Sequence, residues 1–398
     1  MTKNRVYADH AATTPLLPEA LEAMLPWLKD GFGNPSSLHS FGRKARKAVE
    51  AARATIAKCI NAAPEEIFFT SGGTESDNWV VRGTEGTLVV SEYEHHAVLN
   101  AALCEARRGR KVLAVQPSGR GIVGARQLKT TLDAISQAGR QCSSISQDES
   151  PRTGNAGLVS IMAAQNEIGT VNPVRALSAE AHSRGFLFHA DAVQAVGKIP
   201  VNVSDWNVDF LSASAHKFGG PKGVGFLYAK DGKAPCRLLD GGAQESGVRA
   251  GTENVAGIVG MAAALQNYCG RMVESAAALR LLASELADGL CDLFPDAGVI
   301  GPSRPLERVP GFVAVAIPGH PAEGMLHILD MKGVAVSAGA ACNSKETKVS
   351  HVLKAIGLAD KYATCTLRVS LGPENTKNDV KRILSALKVI RQKGRAAE

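Results

Sequence analysis

The chain has 398 residues, 45% of them hydrophobic and 21% charged, the proportions of an ordinary globular protein, which excludes global disorder, collagen-like repeats and a disulfide-stapled miniprotein. At roughly 150 residues per domain this length suggests two to three units, and no run approaches the ~18 uninterrupted apolar residues of a membrane-spanning helix. The excess of 45 Lys and Arg over 38 Asp and Glu gives a net charge of +7; without an arginine-rich tract or aromatic interleaving, that charge suits a cradle for an anionic cofactor as well as it suits nucleic acid.

The N-terminal MTKNRVYADHAATTP has no apolar stretch of the kind a secretory signal needs, so a cytoplasmic location is expected. The eight cysteines are scattered without a C-x-x-C pair, which argues against zinc ribbons and thioredoxin-type dithiols. No metal site is expected. Cys59, Cys104 and Cys291 read as small, buried, inert side chains.

Along the chain, apolar positions at helical spacing come first, at Ala45, Val49, Ala52, Ile56 and Ile60. Short β-branched or aromatic runs follow at IFFT (67–70), LVVS (88–91), KVLAV (111–115), LVSIM (158–162), FLFHADAV (186–193), DFLSASA (209–215) and VGFLYA (224–229). Helical patterns such as ARQLKTTLDAIS and VRALSAEAHSRG lie between them. This alternation predicts an α/β fold with a mainly parallel seven-stranded sheet flanked by helices. The polar stretch 141–157 reads as an exposed, mobile loop. From about 252 to 296 the pattern is helical, and FVAVAI, VAVSA and TLRVSLG then alternate with helices as a smaller α+β domain. The expected division is 16–260 for the large domain, with 1–15 and 261–398 forming the small one.

Several predicted strands end in polar or ionisable residues, and in open α/β sheets ligands bind beyond the carboxyl ends of strands. SGGTESDN (71–78) follows a strand and opens a helix; taken alone it reads first as a plain strand-to-helix turn, and otherwise as free N–H groups that suit a phosphate, although it is neither a P-loop nor a G-x-G-x-x-G motif. In ASAHKFGGPKGVG (213–225) Lys217 stands at a strand end; solvation is the usual fate of such a lysine, but a partly buried amine lowers its pKa and forms a Schiff base. Lys222 is the rival, inside a turn. Asp191 ends an apolar strand and either caps a helix or, if the lysine binds pyridoxal phosphate, keeps the pyridine nitrogen protonated. Cys342, in the small-residue run SAGAACNS (337–344), reads as a reactive thiol on an accessible loop. Arg368 is a rare charge within a strand pattern, on an exposed face or as a fork for a substrate carboxylate. His95 either stacks on an aromatic cofactor or simply opens a helix.

Together, YADHAATTP (7–15), FGNPSSLHSFG (32–42), FTSGGTESDN (69–78), EHHAVL (94–99), QNEIGT (165–170), HADAVQAVGK (189–198), SAHKFGGPKGVG (214–225), RAGTEN (249–254), AACNS (340–344) and LRVSLG (367–372) resemble, in family order, the pyridoxal-phosphate-dependent cysteine desulfurases (NifS/IscS type, class V aminotransferase superfamily). The resemblance implies a fold-type-I enzyme that converts L-cysteine to L-alanine, leaving a persulfide on Cys342 for a sulfur-acceptor protein such as an iron–sulfur scaffold. It implies Lys217 as the lysine carrying pyridoxal 5'-phosphate, Asp191 against the pyridine nitrogen, His95 stacked on the ring, Gln194 near the phenolic oxygen and Asn166 near cofactor and substrate. Gly73, Thr74, Ser214 and His216 would hold the phosphate, and Thr252 would reach the phosphate of a neighbouring subunit, hence a homodimer. Arg368 would bind the substrate carboxylate, helped by Asn34. The nucleophile loop departs from the family's S-S-G-S-A-C-[TS]-S, and the chain after Arg368 is short for a docking tail. Selenocysteine lyase, a plain class V aminotransferase and a sulfur-delivery or scaffold-binding partner with low turnover are the alternatives; a nucleic-acid binder fits worst.

Overall fold

A computed structural model describes residues 5–142, 156–338 and 349–395. The chain opens with β1 (Val6–Tyr7), α1 (Pro18–Lys29) and α2 (Ser40–Ile60), then alternates β2 (Ile67–Thr70), α3 (Gly73–Gly83), β3 (Thr87–Ser91), α4 (His96–Arg107), β4 (Val112–Val115), α5 (Ala125–Cys142) and β5 (Gly157–Ser160). It continues through α6 (Val174–His182), β6 (Phe186–Asp191), α7 (Val203–Trp206), β7 (Phe210–Ser214), β8 (Gly225–Ala229) and the long α8 (Val255–Leu293). The last part holds β9 (Gly298–Ile300), β10 (Phe312–Ala316), α9 (Ala322–Met331), β11 (Val334–Ala335), β12 (Ser337–Ala338), α10 (His351–Ala355), α11 (Asp360–Ala363), β13 (Thr366–Ser370) and α12 (Lys377–Arg395).

Among the described residues the larger sheet has seven strands in the order β2-β8-β7-β6-β5-β3-β4. β4, β3, β5, β6 and β7 run parallel, and β8 runs antiparallel to both β7 and β2. β2 therefore points the same way as β7, and the carboxyl ends of six strands share one edge. Strand side chains alternate between faces: Phe68, Leu88, Val90 and Leu158 bury against α3 and α4, while Ile67, Phe69, Val89 and Val159 bury in the core shared with α2 and α8. Both faces are covered, which explains why these strands read as continuous apolar runs. The helical positions Ala45, Val49, Ala52, Ile56 and Ile60 are the buried face of α2.

A four-stranded sheet, β12-β13-β10-β9, is antiparallel throughout. A separate core collects Val6 and Ala8, the second half of α8 from Leu279 to Leu293, and α12. α8 is continuous from one core to the other, so position 260, the expected boundary, lies inside a helix. VAVSA, expected as one strand, is split. Val334 and Ala335 pair in parallel with β1, whereas Ser337 and Ala338 pair with β13. The bend at Val336 lets one segment serve two sheets. α5 runs through Cys142, so the first residues of the expected polar loop are helical, while 143–155 lie outside the described residues. No described helix is long and apolar enough to cross a membrane.

Candidate active site

Thr70, Asp191 and Ser214 end β2, β6 and β7 at the shared edge, where Gly225 opens β8 opposite Thr70 and Ser214. Close backbone approach here depends on glycine. Gly72 adopts φ +151°, and a Cβ on Gly225 would sit 2.4 Å from the Ala213 carbonyl oxygen and 2.7 Å from Gly72 Cα. Past this constriction α3 begins with no capping side chain, so its first N–H groups point outward as a ready anion site. A cavity of about 620 Å³ opens there. Gly73, Thr74, His95, Asn166, Asp191, Gln194, Ser214, His216, Lys217 and Arg368 all line it, so ten predicted residues from separate motifs converge on one space.

Lys217 sits in a short 3-10 turn after β7. Its Nζ donates to the carbonyl oxygens of Ala11 at 2.7 Å and Ala12 at 2.8 Å. Burial, and then the positive charge of Arg368, lower its pKa to about 8, against the opposing pull of Asp191 and Asp9. The rival Lys222 is solvent-exposed. Such an amine has a far larger neutral fraction near physiological pH than an ordinary lysine, which suits condensation with a carbonyl.

Asp191 is buried, and its Oδ1 accepts the Val193 N–H at 2.9 Å. Burial pushes its carboxyl upward, and His95 and Lys217 pull it back towards ionisation. A cation placed beside it would complete that pull. Beneath it, Asp77 is driven well up by burial and by Asp191, and its Oδ1 has no hydrogen-bond partner. His189 bonds Ser160 Oγ at 2.8 Å and Ser212 Oγ at 2.9 Å, and burial lowers its pKa to about 3, so it is neutral.

His95 caps α4, its Nδ1 accepting the Ala97 N–H at 3.1 Å. Burial lowers its pKa, so the ring is neutral with its proton assigned to Nε2. His216 Nδ1 lies 3.1 Å from Thr13 Oγ1, and burial and then Lys217 lower its pKa to about 4. Gln194 is held at both ends: its Nε2 donates to the Ala11 carbonyl at 2.8 Å, and its Oε1 accepts from Lys198 at 2.7 Å.

Arg368 lies on β13 and is 2% exposed, which replaces the exposed-face reading. Its Nη2 pairs with Asp9 Oδ1 at 2.7 Å and its Nη1 donates to the Asn166 carbonyl at 2.9 Å, while Nε has no partner. A fixed, buried guanidinium with a spare donor suits a planar anion.

Asn34 is exposed, accepts the Ser36 N–H at 2.8 Å and lies outside this lining; Thr252 is exposed as well. Cys342 falls within 339–348, outside the described residues. Of the cysteines read as buried, Cys291 is exposed and Cys59 and Cys104 are half-buried. Sequence reading also missed Asp9, the Ala11 and Ala12 carbonyls, Lys198 and Asp77. YADHAATTP and HADAVQAVGK contain the first four, but neither motif says which distant group its members meet. Among the described residues, no group of three or more His, Cys, Asp and Glu side chains is placed to hold a metal ion.

Glu94 is buried and accepts from the N–H of the lining residue Met162 at 2.9 Å and from Ser91 Oγ; its Oε2 is unpartnered, and burial raises its pKa to about 8. A carboxyl that holds its proton in the folded state, but releases it near its ordinary 4.5 when unfolded, contributes stability that fades as pH rises towards 8. The expected result is a melting temperature for the wild type that falls from pH 6 to pH 9 by a few degrees more than that of Glu94→Gln. Scanning calorimetry of both across that range checks it, and parallel curves would refute the assignment.

An Aminotransferase class-V family profile matches residues 6–383. The chain is 40% identical over 397 residues to the cysteine desulfurase IscS of Clostridium botulinum (strain Hall), covering 98% of this chain and 95% of that protein. Among solved structures it resembles a NifS-like protein with a TM-score of 0.85 and 34% identity, covering 98% of this chain and 99% of the other. It also resembles SspA in complex with cysteine, with a TM-score of 0.75 and 31% identity over 93% of this chain and 100% of that one.

Proposed function

Because the chain belongs to the class V aminotransferase family, we propose that it is a cysteine desulfurase, converting L-cysteine to L-alanine and carrying the sulfur as a persulfide on Cys342. The observation that carries this reading is the shared cavity in which a half-buried amine, a buried carboxylate and an uncapped helix N-terminus face one another.

That donor set fits pyridoxal 5'-phosphate. Gly73, Thr74, Ser214, His216 and the N–H groups of α3 would take the phosphate, Lys217 the aldehyde, Asp191 the ring nitrogen, His95 one ring face and Gln194 the phenolic oxygen. When bound, the cofactor supplies an aldehyde for amines and a ring that stores electrons released at the substrate Cα. The chain's own residues do the rest. Arg368 fixes the substrate carboxylate, with Asn166 and Asn34 assisting. Lys217 would take the α-proton, a role favoured by burial and Arg368, which enlarge its neutral fraction. The Cys342 thiolate attacks the substrate sulfur, the carbon–sulfur bond breaks and a new sulfur–sulfur bond forms. A soft thiolate suits attack on sulfur where a hydroxyl does not. The persulfide then passes to an acceptor, for which we propose a protein thiol such as that of an iron–sulfur scaffold.

The functional unit we propose is a homodimer in which Thr252 reaches the partner's phosphate site. Leu28, Phe32, Leu38 and Phe41 support this, being 60%, 78%, 83% and 55% exposed in a single chain, a density of large apolar side chains that marks an interface. Leu38→Asp is expected to shift the protein to monomers in light scattering and to weaken cofactor binding by about tenfold or more; a stable dimer with full cofactor content would contradict it. A cytoplasmic location agrees with the described cysteines being free thiols.

The deciding experiment measures alanine and sulfide released from L-cysteine in the presence of a reductant. Equimolar products from the wild type, and neither from Cys342→Ala, are expected. Alanine that persists in Cys342→Ala would instead favour a selenocysteine lyase or aminotransferase, which parallel assays with selenocysteine and with 2-oxo acids would separate.

A further inference from the structure

Two of the cysteines meet on a face of the molecule remote from the cavity that holds Lys217. Cys59 occupies the last turn of α2 and Cys269 lies on α8, which packs along α2. Cys269 Sγ is 4.0 Å from the Cys59 carbonyl oxygen. Both are half-buried, and they line a surface recess with Ala54, Thr55, Lys58 and Gln266. The two cysteines thus share one recess between neighbouring helices, open enough for a small reagent to enter.

We propose that Cys59 and Cys269 form a thiol–disulfide exchange site that takes a small-molecule disulfide of the glutathione class and closes into a disulfide joining α2 to α8. Their roles are unequal. The neighbouring Cys269 thiol, and the charge of Lys58, favour the Cys59 thiolate against the opposing effect of burial, while Cys59 and burial keep the Cys269 proton in place. The carbonyls in the last turn of α2 oppose a thiolate at Cys59, and the neighbouring ammonium of Lys58 offsets them. Cys59 is therefore the attacking thiol and Cys269 the resolving one.

In the first step the Cys59 thiolate attacks one sulfur of oxidised glutathione, forming a mixed disulfide and expelling one glutathione thiolate. Cys269 then gives its proton to that thiolate or to water, and its sulfur attacks the Cys59 sulfur, expelling the second glutathione. Two protein thiols lose two electrons in total and one disulfide becomes two thiols. The cross-link spans residues 210 apart in sequence, so it restricts the unfolded chain and raises the melting temperature. Neither cysteine lines the catalytic cavity, so the exchange is independent of the desulfurase reading.

The test incubates the full-length protein at graded ratios of oxidised to reduced glutathione, blocks free thiols, and maps the peptides without reduction. A linked Cys59–Cys269 peptide is expected, together with a melting temperature a few degrees higher that returns to its starting value with dithiothreitol. Cys269→Ser is expected to stop at a glutathione adduct on Cys59, and Cys59→Ser to give neither product. Turnover of L-cysteine by the two serine variants reports that they are folded. The proposal is overturned if exposed Cys236 and Cys291 take up glutathione while Cys59 and Cys269 stay free, or if a wild-type adduct on Cys59 never converts to the cross-link.

Discussion

Replacing Lys217 by alanine is expected to lower alanine formation from L-cysteine by at least about 10⁴-fold, the upper end of what a positioned proton-transfer group contributes, with the loss of the covalent cofactor attachment added to it. Lys217→Arg should fare no better, because guanidinium stays protonated and cannot take up the substrate proton. A second readout separates this role from a structural one. In the wild type, the rate at which the cofactor-free chain condenses with pyridoxal phosphate should rise with pH and level off above about 8. The sign follows from the neutral amine being the reactive form, and burial together with Arg368 favours that form. A midpoint near the ordinary lysine value of 10.5 would mean that the amine is solvated, and full turnover in Lys217→Ala would remove it from the mechanism.

Arg368→Lys should reduce kcat/KM for L-cysteine by about 10²–10³-fold. Removing one partner from a buried, charged hydrogen bond costs roughly 2–5 kcal/mol, and each 1.4 kcal/mol is a factor of ten. Lysine keeps the charge but loses the planar fork that now spans Asp9 and the Asn166 carbonyl. A group that binds ground and transition states alike acts mainly through KM, so most of the loss should appear there. Arg368→Ala should be worse, since it also strands the Asp9 carboxylate. It carries a cross-check as well: Arg368 depresses the Lys217 pKa, so its removal should move the condensation midpoint upward. Unchanged KM in both variants would detach Arg368 from the substrate carboxylate.

Much of the fold is legible in the chain itself, because strand and helix are written in local periodicity. IFFT, LVVS and DFLSASA became β2, β3 and β7 within a residue or so, and the glycine-rich turn after IFFT opened α3 as its residue types demand. Most of the expected cofactor and substrate residues line one cavity, since the shared direction of β2, β6 and β7 brings their ends together. Where local pattern misled, a long-range partner intervened. VAVSA has a uniform strand composition, yet it divides because β1 and β13 each claim one end.

What the sequence determined by itself was the alternation of elements, the chemistry available at strand ends and, through the order of its motifs, the family. The tertiary structure alone decided which of those groups are paired and how far they are desolvated. Asp9 meets Arg368 across 359 residues, and the Ala11 and Ala12 carbonyls hold Lys217 across 206 and 205. Cys59 meets Cys269 across 210. The physical reason is that propensity and turn chemistry act over a few neighbours, whereas a pKa near 8 at Lys217 is set by burial and by the charges that folding places around it.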